Sequence, residues 1–99
     1  MAQVVPTIGA FRGRREAISA AARRRHASRV RVFGSVARGD AGPSSDVDLL
    51  VDFDAEASLL DQVGLTQDLE ALLGSPVEIT STGGLRPRHR RVRDEAIEL

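Results

Sequence analysis

The 99-residue chain contains no cysteine, lysine, tyrosine or tryptophan, and only three phenylalanines. Without cysteine there are no disulfides, thiolate metal sites or thiol nucleophiles, which fits a reducing cytosol. Without lysine, all fourteen positive charges are arginine, and both a lysine-dependent phosphate loop and a Schiff-base mechanism are excluded. With so few aromatic rings, nucleotide bases have little to stack on. No apolar run approaches the ~18 residues of a membrane span.

A chain of this length buries roughly 60–68% of its unfolded surface, enough for one ordinary core. A single domain over 1–99 is expected, with 1–13 as a loose N-terminal arm. Hydrophobic residues make up 41% and charged residues 28%, with no net charge, which argues against bulk disorder. The neutrality hides a pattern. Residues 1–31 carry eight arginines against Glu16 alone, a net of +7. Residues 32–85 carry Arg38 against ten acids, a net of −9, and residues 86–99 carry five arginines against three acids, a net of +2. The acidic middle points to a metal. The basic ends point to an anion or a partner.

Periodicity places the elements. Arg14–Ala27 has no helix breaker and reads as a helix with a narrow apolar face of Ile18, Ala21 and Ala22. Its arginine- and alanine-rich, acid-poor start has the composition of a transit peptide, but so short a chain needs the helix for its fold. Ser28–Phe33 alternates and reads as a strand, followed by Gly34-Ser35 and a turn or short helix. Asp46–Phe53 is a second strand, with Asp46 and Asp48 on one face and Val47, Leu49, Val51 and Phe53 on the other. Ser58–Leu73 is the best helix, with a broad stripe of Leu59, Leu60, Val63, Leu65, Leu69, Leu72 and Leu73, stopped by Gly74. Pro76–Thr80 is a third strand, Gly83-Gly84 a turn, and Arg86–Leu99 a closing helix. The expected fold is α/β or α+β: a small mixed sheet of three or four strands with helices on one side.

Chemistry concentrates in Val32–Phe53. Gly34 lets backbone approach a ligand closely, and exposed N–H groups with the Ser35 hydroxyl at such a junction can hold a phosphate. Asp46 and Asp48, two apart on a strand, share a face with Cα atoms about 6.5–7 Å apart. Two carboxylates so placed repel until a cation comes between them, and hard oxygen donors suit Mg²⁺ or Mn²⁺. Two ions about 3.5–4 Å apart are the arrangement used in phosphoryl transfer. Glu78 lies within the apolar strand Val77–Ile79. Beside the second strand it faces the same side and can join the metal site or accept a proton. A solvated strand face and an outward edge acid are the bland alternatives for these acids. Arg38 can clamp a phosphate or be a solvated turn residue. Asp40 and Ser45 read as turn or cap residues, and Asp52 and Asp54 as surface acids. The run Arg23-Arg24-Arg25 reads as a solvated helix face, as do Arg86, Arg88, Arg90, Arg91 and Arg93, with a partner protein or RNA as the alternative occupant. His26 and His89 show no ligand spacing and receive no metal role.

Gly34-Ser35, ten residues, then Asp46-Val47-Asp48 resembles the signature of the DNA polymerase beta-like nucleotidyltransferase superfamily, and within it the minimal nucleotidyltransferase (MNT) antitoxins. Arg38-Gly39, Leu50-Val51-Asp52-Phe53, Pro76-Val77-Glu78-Ile79 and Gly84-Leu85-Arg86-Pro87 fall where that family has like residues, so the resemblance covers about residues 14–97. Many relatives carry Asp where Glu78 stands. The resemblance implies that Gly34 and Ser35 bind the β- and γ-phosphates of ATP, with Arg38 nearby. It implies that Asp46 and Asp48 coordinate two Mg²⁺ ions, and that Glu78 coordinates one of them and activates the acceptor hydroxyl. It further implies transfer of AMP to a tyrosine of a cognate HEPN-type RNase toxin, with pyrophosphate released, in a cytoplasmic complex with that toxin. The absence of tyrosine here fits an acceptor in trans. A non-catalytic antitoxin that works by direct binding is the alternative. Transfer to RNA or a small molecule is a third reading, and needs an acceptor-binding domain for which 99 residues leave no room. Nucleic acid is therefore the less favoured partner, and no membrane association is expected.

Overall fold

The computed structural model describes residues 5–84 and 90–99. Helices α1 (Ile8–Arg12) and α2 (Arg15–Arg24) precede strand β1 (Ala27–Phe33), which runs directly into the short helix α3 (Gly34–Arg38). Strand β2 (Val47–Phe53), helix α4 (Leu59–Leu73) and strand β3 (Val77–Ser81) follow, then a 3₁₀ turn at Thr82–Gly84, helix α5 (Arg90–Glu95) and strand β4 (Ile97–Glu98).

The four strands form one mixed sheet in the order β3-β2-β1-β4. β1 is antiparallel to β2, with Val30 opposite Val51 and Phe33 opposite Asp48. β3 is parallel to β2, with Asp48 opposite Glu78. Parallel neighbours need a long return path, and α4 supplies it. Alternation along β2 then sorts the side chains. Val47, Leu49 and Val51 face the helices and are fully buried with Val32, Ile18, Val36, Leu65 and Leu69. Asp48, Leu50 and Asp52 face the other side. Leu50 is fully buried even so, and the 3₁₀ turn lies against β2.

The expected sheet and its one-sided helical layer are present, with several differences in detail. Part of the expected loose arm is structured. The Thr7 hydroxyl accepts from the Ala10 amide at 3.1 Å and caps α1, and Phe11 is buried in the core. One helical turn is too short to show a period. α2 stops at Arg24 rather than Ala27, because His26 takes a left-handed backbone (φ 60°) that no glycine or proline announces. The closing helix is shorter than expected. α5 ends at Glu95, and Ile97 and Glu98 pair with Val32 and Arg31 on the free edge of β1. The expected start of that helix at residues 86–89 lies outside the described residues.

α4 begins with a reciprocal capping box between Ser58 and Asp61 and ends at Gly74 with φ 70°. Its stripe is half as deep as expected. Leu65 and Leu69 are fully buried, whereas Leu59, Leu60 and Val63 are 75%, 79% and 46% exposed. The triple-arginine run divides as well. Arg23 and Arg24 are exposed, while Arg25 turns back over Gly64 and donates from Nε to Asp68 Oδ2 at 3.0 Å.

Candidate active site

Three strand termini meet at one end of the sheet: the end of β1 and the starts of β2 and β3. The last two are tied together, since the Val47 amide donates to the Pro76 carbonyl at 2.8 Å. The Val77 amide donates to Glu70 Oε2 at 3.0 Å, which fixes the start of β3 to the end of α4. These two bonds set the register that brings Glu78 beside Asp48.

Gly34 turns the chain from β1 into α3 with φ 73°. A side chain is rarely tolerated in this left-handed region. Space forbids one too, because a Cβ here would stand 2.4 Å from Asp48 Oδ2 and 3.2 Å from its Cγ. The backbone of the glycine and the carboxylate of the strand are packed against each other. Phe33, at the cap position of α3, supplies no side-chain hydrogen bond to the helix start, so the first-turn amides remain available as donors. Ser35 and Gly34 are both half-buried at this junction, and the Ser35 carbonyl accepts from the Asp40 amide at 3.0 Å. Gly39 ends α3 with φ 79°.

Asp48 is the electrostatic centre. Burial holds its carboxyl above the usual carboxylate value, and repulsion from Glu78 and then Asp46 adds to this, with Arg38 opposing. Three of the charged residues singled out in the sequence, Glu78, Asp46 and Arg38, thus act on the fourth, Asp48. Asp46 and Glu78 are themselves exposed. Among the described residues, no three Asp, Glu or His side chains converge tightly enough to form a ready metal cage. The carboxylates form an open row instead. Such a donor set fits a hard divalent ion of the Mg²⁺ type, which is commonly held by one or two carboxylates with substrate phosphates and water filling the other positions. The surplus negative charge of the row is the physical demand that a cation meets.

Arg38 lies at the rim. Its Nη1 donates to Glu95 Oε1 at 2.9 Å and its Nε to Asp40 Oδ2 at 3.3 Å. Its pKa is raised, first by Glu95 and then by Asp40. Asp40, expected to be a turn residue, thus also holds a guanidinium. Glu95 was invisible to sequence reasoning, standing 57 residues from Arg38 with no spacing signal between them. Ser45 behaves as a turn residue, its hydroxyl accepting from the Gly42 amide at 2.8 Å. Asp52 is more than a surface acid: it accepts from Arg31 Nη2 at 2.9 Å, and the Arg31 side chain is only 11% exposed. Asp54 is exposed as expected. His26 stands 3.8 Å from the carboxylates of both Asp54 and Glu56, at the other end of β2 from the acidic row. His89 lies outside the described residues.

Comparison with known proteins places this geometry. Residues 15–98 match the nucleotidyltransferase domain family. A protein of Methanocaldococcus jannaschii, provisionally named a protein adenylyltransferase, is 38% identical over 72 residues, covering 72% of this chain and 77% of the relative. The protein adenylyltransferase MntA of Thermococcus cleftensis is 49% identical over 55 residues, 56% of each chain. A solved structure provisionally described as a minimal nucleotidyltransferase superposes with a TM-score of 0.83 at 51% identity, over 94% of this chain and 96% of that one. A toxin-antitoxin structure with AMP-PNP shares the fold at a TM-score of 0.70 and 20% identity, over 84% of this chain and 69% of its own. Since the family match takes in every strand of the sheet and the whole acidic row, the chain belongs to the nucleotidyltransferase domain family, among its minimal members.

Proposed function

We propose that this nucleotidyltransferase is a Mg²⁺-dependent protein adenylyltransferase. It transfers AMP from ATP to a tyrosine hydroxyl of a cognate HEPN-type toxin in the cytoplasm and so neutralises it. The observation that carries the reading is the Asp48–Glu78 register beside the side-chain-free face of Gly34. A phosphate held on the α3 amides would lie beside that acidic row. The adenylyltransferase names of the two sequence relatives support the reaction class. The toxin-antitoxin assembly of the structural neighbour supports the partner class.

Gly34 and Ser35 receive the β- and γ-phosphates, and Arg38 adds a guanidinium to them. Asp46 and Asp48 would hold two Mg²⁺ ions, one of them shared with Glu78, and ions so held would supply charge neutralisation to the transferring phosphoryl group. Glu78 takes the proton of the acceptor hydroxyl as its oxygen bonds to the α-phosphorus. The bond from that phosphorus to the bridging oxygen breaks, and pyrophosphate leaves. The acceptor must come from another molecule, because this chain has no tyrosine.

The test is incorporation of label from α-phosphate-labelled ATP into the product of the neighbouring gene, with the double variant Asp46→Asn/Asp48→Asn in parallel. Label in the toxin, lost in the variant, is the expected result. A second reading, neutralisation by contact, draws on the exposed Leu59, Leu60 and Val63, a patch suited to a protein partner. A complex that forms and neutralises without ATP or label would favour it.

A further inference from the structure

α5 is held where it is by the strand that follows it. Ile97 and Glu98 pair with Val32 and Arg31 on the free edge of β1, and the Glu98 carboxylate accepts from Arg29 Nε. That edge pairing sets Glu95, two residues upstream of β4, against α3. The Glu95 side chain is 25% exposed and that of Arg38 52% exposed, so the acid is the more enclosed partner. Arg38 donates from Nη1 to Glu95 and from Nε to Asp40. A guanidinium is a rigid planar fork with five donors. Two anchored nitrogens fix its plane and leave Nη2 uncommitted among the described residues. Arg38 closes the same five-residue helix that Gly34 and Ser35 open, which sets the fork about one helical turn from that junction.

We infer that Glu95 is a positioning residue for nucleotide binding: by holding Nη1 of Arg38 it aims the remaining donors of the guanidinium at the phosphates of the nucleotide. The inference rests on the nucleotidyltransferase reading above and extends the site to the last helix, outside the Gly-Ser and Asp-x-Asp segment. Through β4 the edge of the sheet opposite Glu78 also bears on the phosphate end of the site.

The experiment is titration of ATP with Mg²⁺ into the intact chain, followed by calorimetry and without any acceptor. Glu95→Ala and Glu95→Gln are compared with Arg38→Ala and with Arg38→Ala/Glu95→Ala. Glutamine keeps the acceptor oxygen and loses the charge, so Glu95→Gln should bind close to wild type. Glu95→Ala should weaken binding about three- to tenfold, the scale of one impaired charge-assisted contact. It should add nothing on the Arg38→Ala background, since the two act as one unit. If Glu95 merely repelled the triphosphate, both Glu95 variants would bind more tightly, and the inference fails. If Glu95 were only a clasp for α5, the melting temperature would fall while affinity stayed at wild type, and the inference fails again. Equal weakening by Glu95→Ala with and without Arg38 also overturns it. Absence of ATP binding by the wild-type chain would instead remove the nucleotidyltransferase reading itself, and the inference with it.

Discussion

The backbone of Gly34 lies against the carboxylate of Asp48 so closely that a Cβ on the glycine would reach to 2.4 Å from Oδ2. One residue opens α3 directly after β1 and the other is the second residue of β2, and their contact makes the turn and the acidic row a single object.

Gly34→Ala should therefore be severe. The left-handed backbone alone costs about 1–2 kcal/mol for a residue with a Cβ, and the new Cβ would also force the Asp48 carboxylate out of its place. Thermal unfolding should show a loss of at least that size. Labelled-AMP transfer should fall below detection even in the fraction that remains folded.

Asp48→Asn should separate stability from activity. In the folded chain Asp48 titrates above its usual value because it is buried and repelled by Glu78 and Asp46. The folded chain then keeps this proton to higher pH than the unfolded chain does. Stability from this group therefore rises as pH falls from neutral through the raised folded value, and levels off below the unfolded one. Melting curves of the metal-free protein across that window should show the rise in wild type and a flatter profile in Asp48→Asn. At neutral pH the variant should melt at or above wild type, should gain less than wild type from added Mg²⁺, and should transfer no AMP.

Ser35→Ala tests the phosphate end. The Ser35 hydroxyl is not among the hydrogen-bonding side chains of the described residues, so its removal should shift stability by less than about 0.5 kcal/mol. ATP affinity should drop about tenfold, as for one lost hydrogen bond to a charged group. Unchanged affinity would take Ser35 out of the site.

Gly64→Ala is expected to be near neutral despite a short approach. Its Cβ would meet Arg25 Cζ at 2.5 Å, but that is the far end of a flexible side chain. The helix gains about 0.8–1.0 kcal/mol from alanine. Displacing the partly exposed Arg25–Asp68 pair loses about 0–1 kcal/mol. Denaturant unfolding should place the variant within about 1 kcal/mol of wild type by those two figures.

The two ends of α4 should respond differently. Leu69→Ala removes a fully buried side chain and should cost about 2–5 kcal/mol. Leu60→Ser changes one that is 79% exposed and should stay within about 0.5 kcal/mol. Equal destabilisation would mean that the helix packs along its whole length.

Leu60 and Leu69 also mark what a sequence can and cannot disclose. Period and breakers located α4 and the first three strands to within about a residue, because those signals are local. Apolar spacing says that a side chain can be buried, and leaves open whether another element lies above it. Here α2 and the sheet cover Leu65 and Leu69, and Leu59, Leu60 and Val63 stay bare. The same limit explains the site. Gly34, Ser35, Asp46 and Asp48 fall within one short segment and could be read together. That Asp48 and Glu78 are neighbours follows from a parallel pairing, which needs the fold. His26 bends the chain with a residue type that carries no turn signal, and Ile97-Glu98 is too short to alternate. Glu95 meets Arg38 only because β4 finds the one open edge of β1.

The parallel pairing of β2 with β3 also dictates when the acidic row can exist. Thirty residues separate Asp48 from Glu78, and a ribosome adding about 5–20 residues per second needs about 1.5–6 seconds to make them. For that interval a nascent chain has its glycine turn and its first two carboxylates but not the third. The clasp of α5 and β4 comes later still. The chain is thus made in an order that withholds its full charge cluster until most of the hydrophobic core is already available to restrain it.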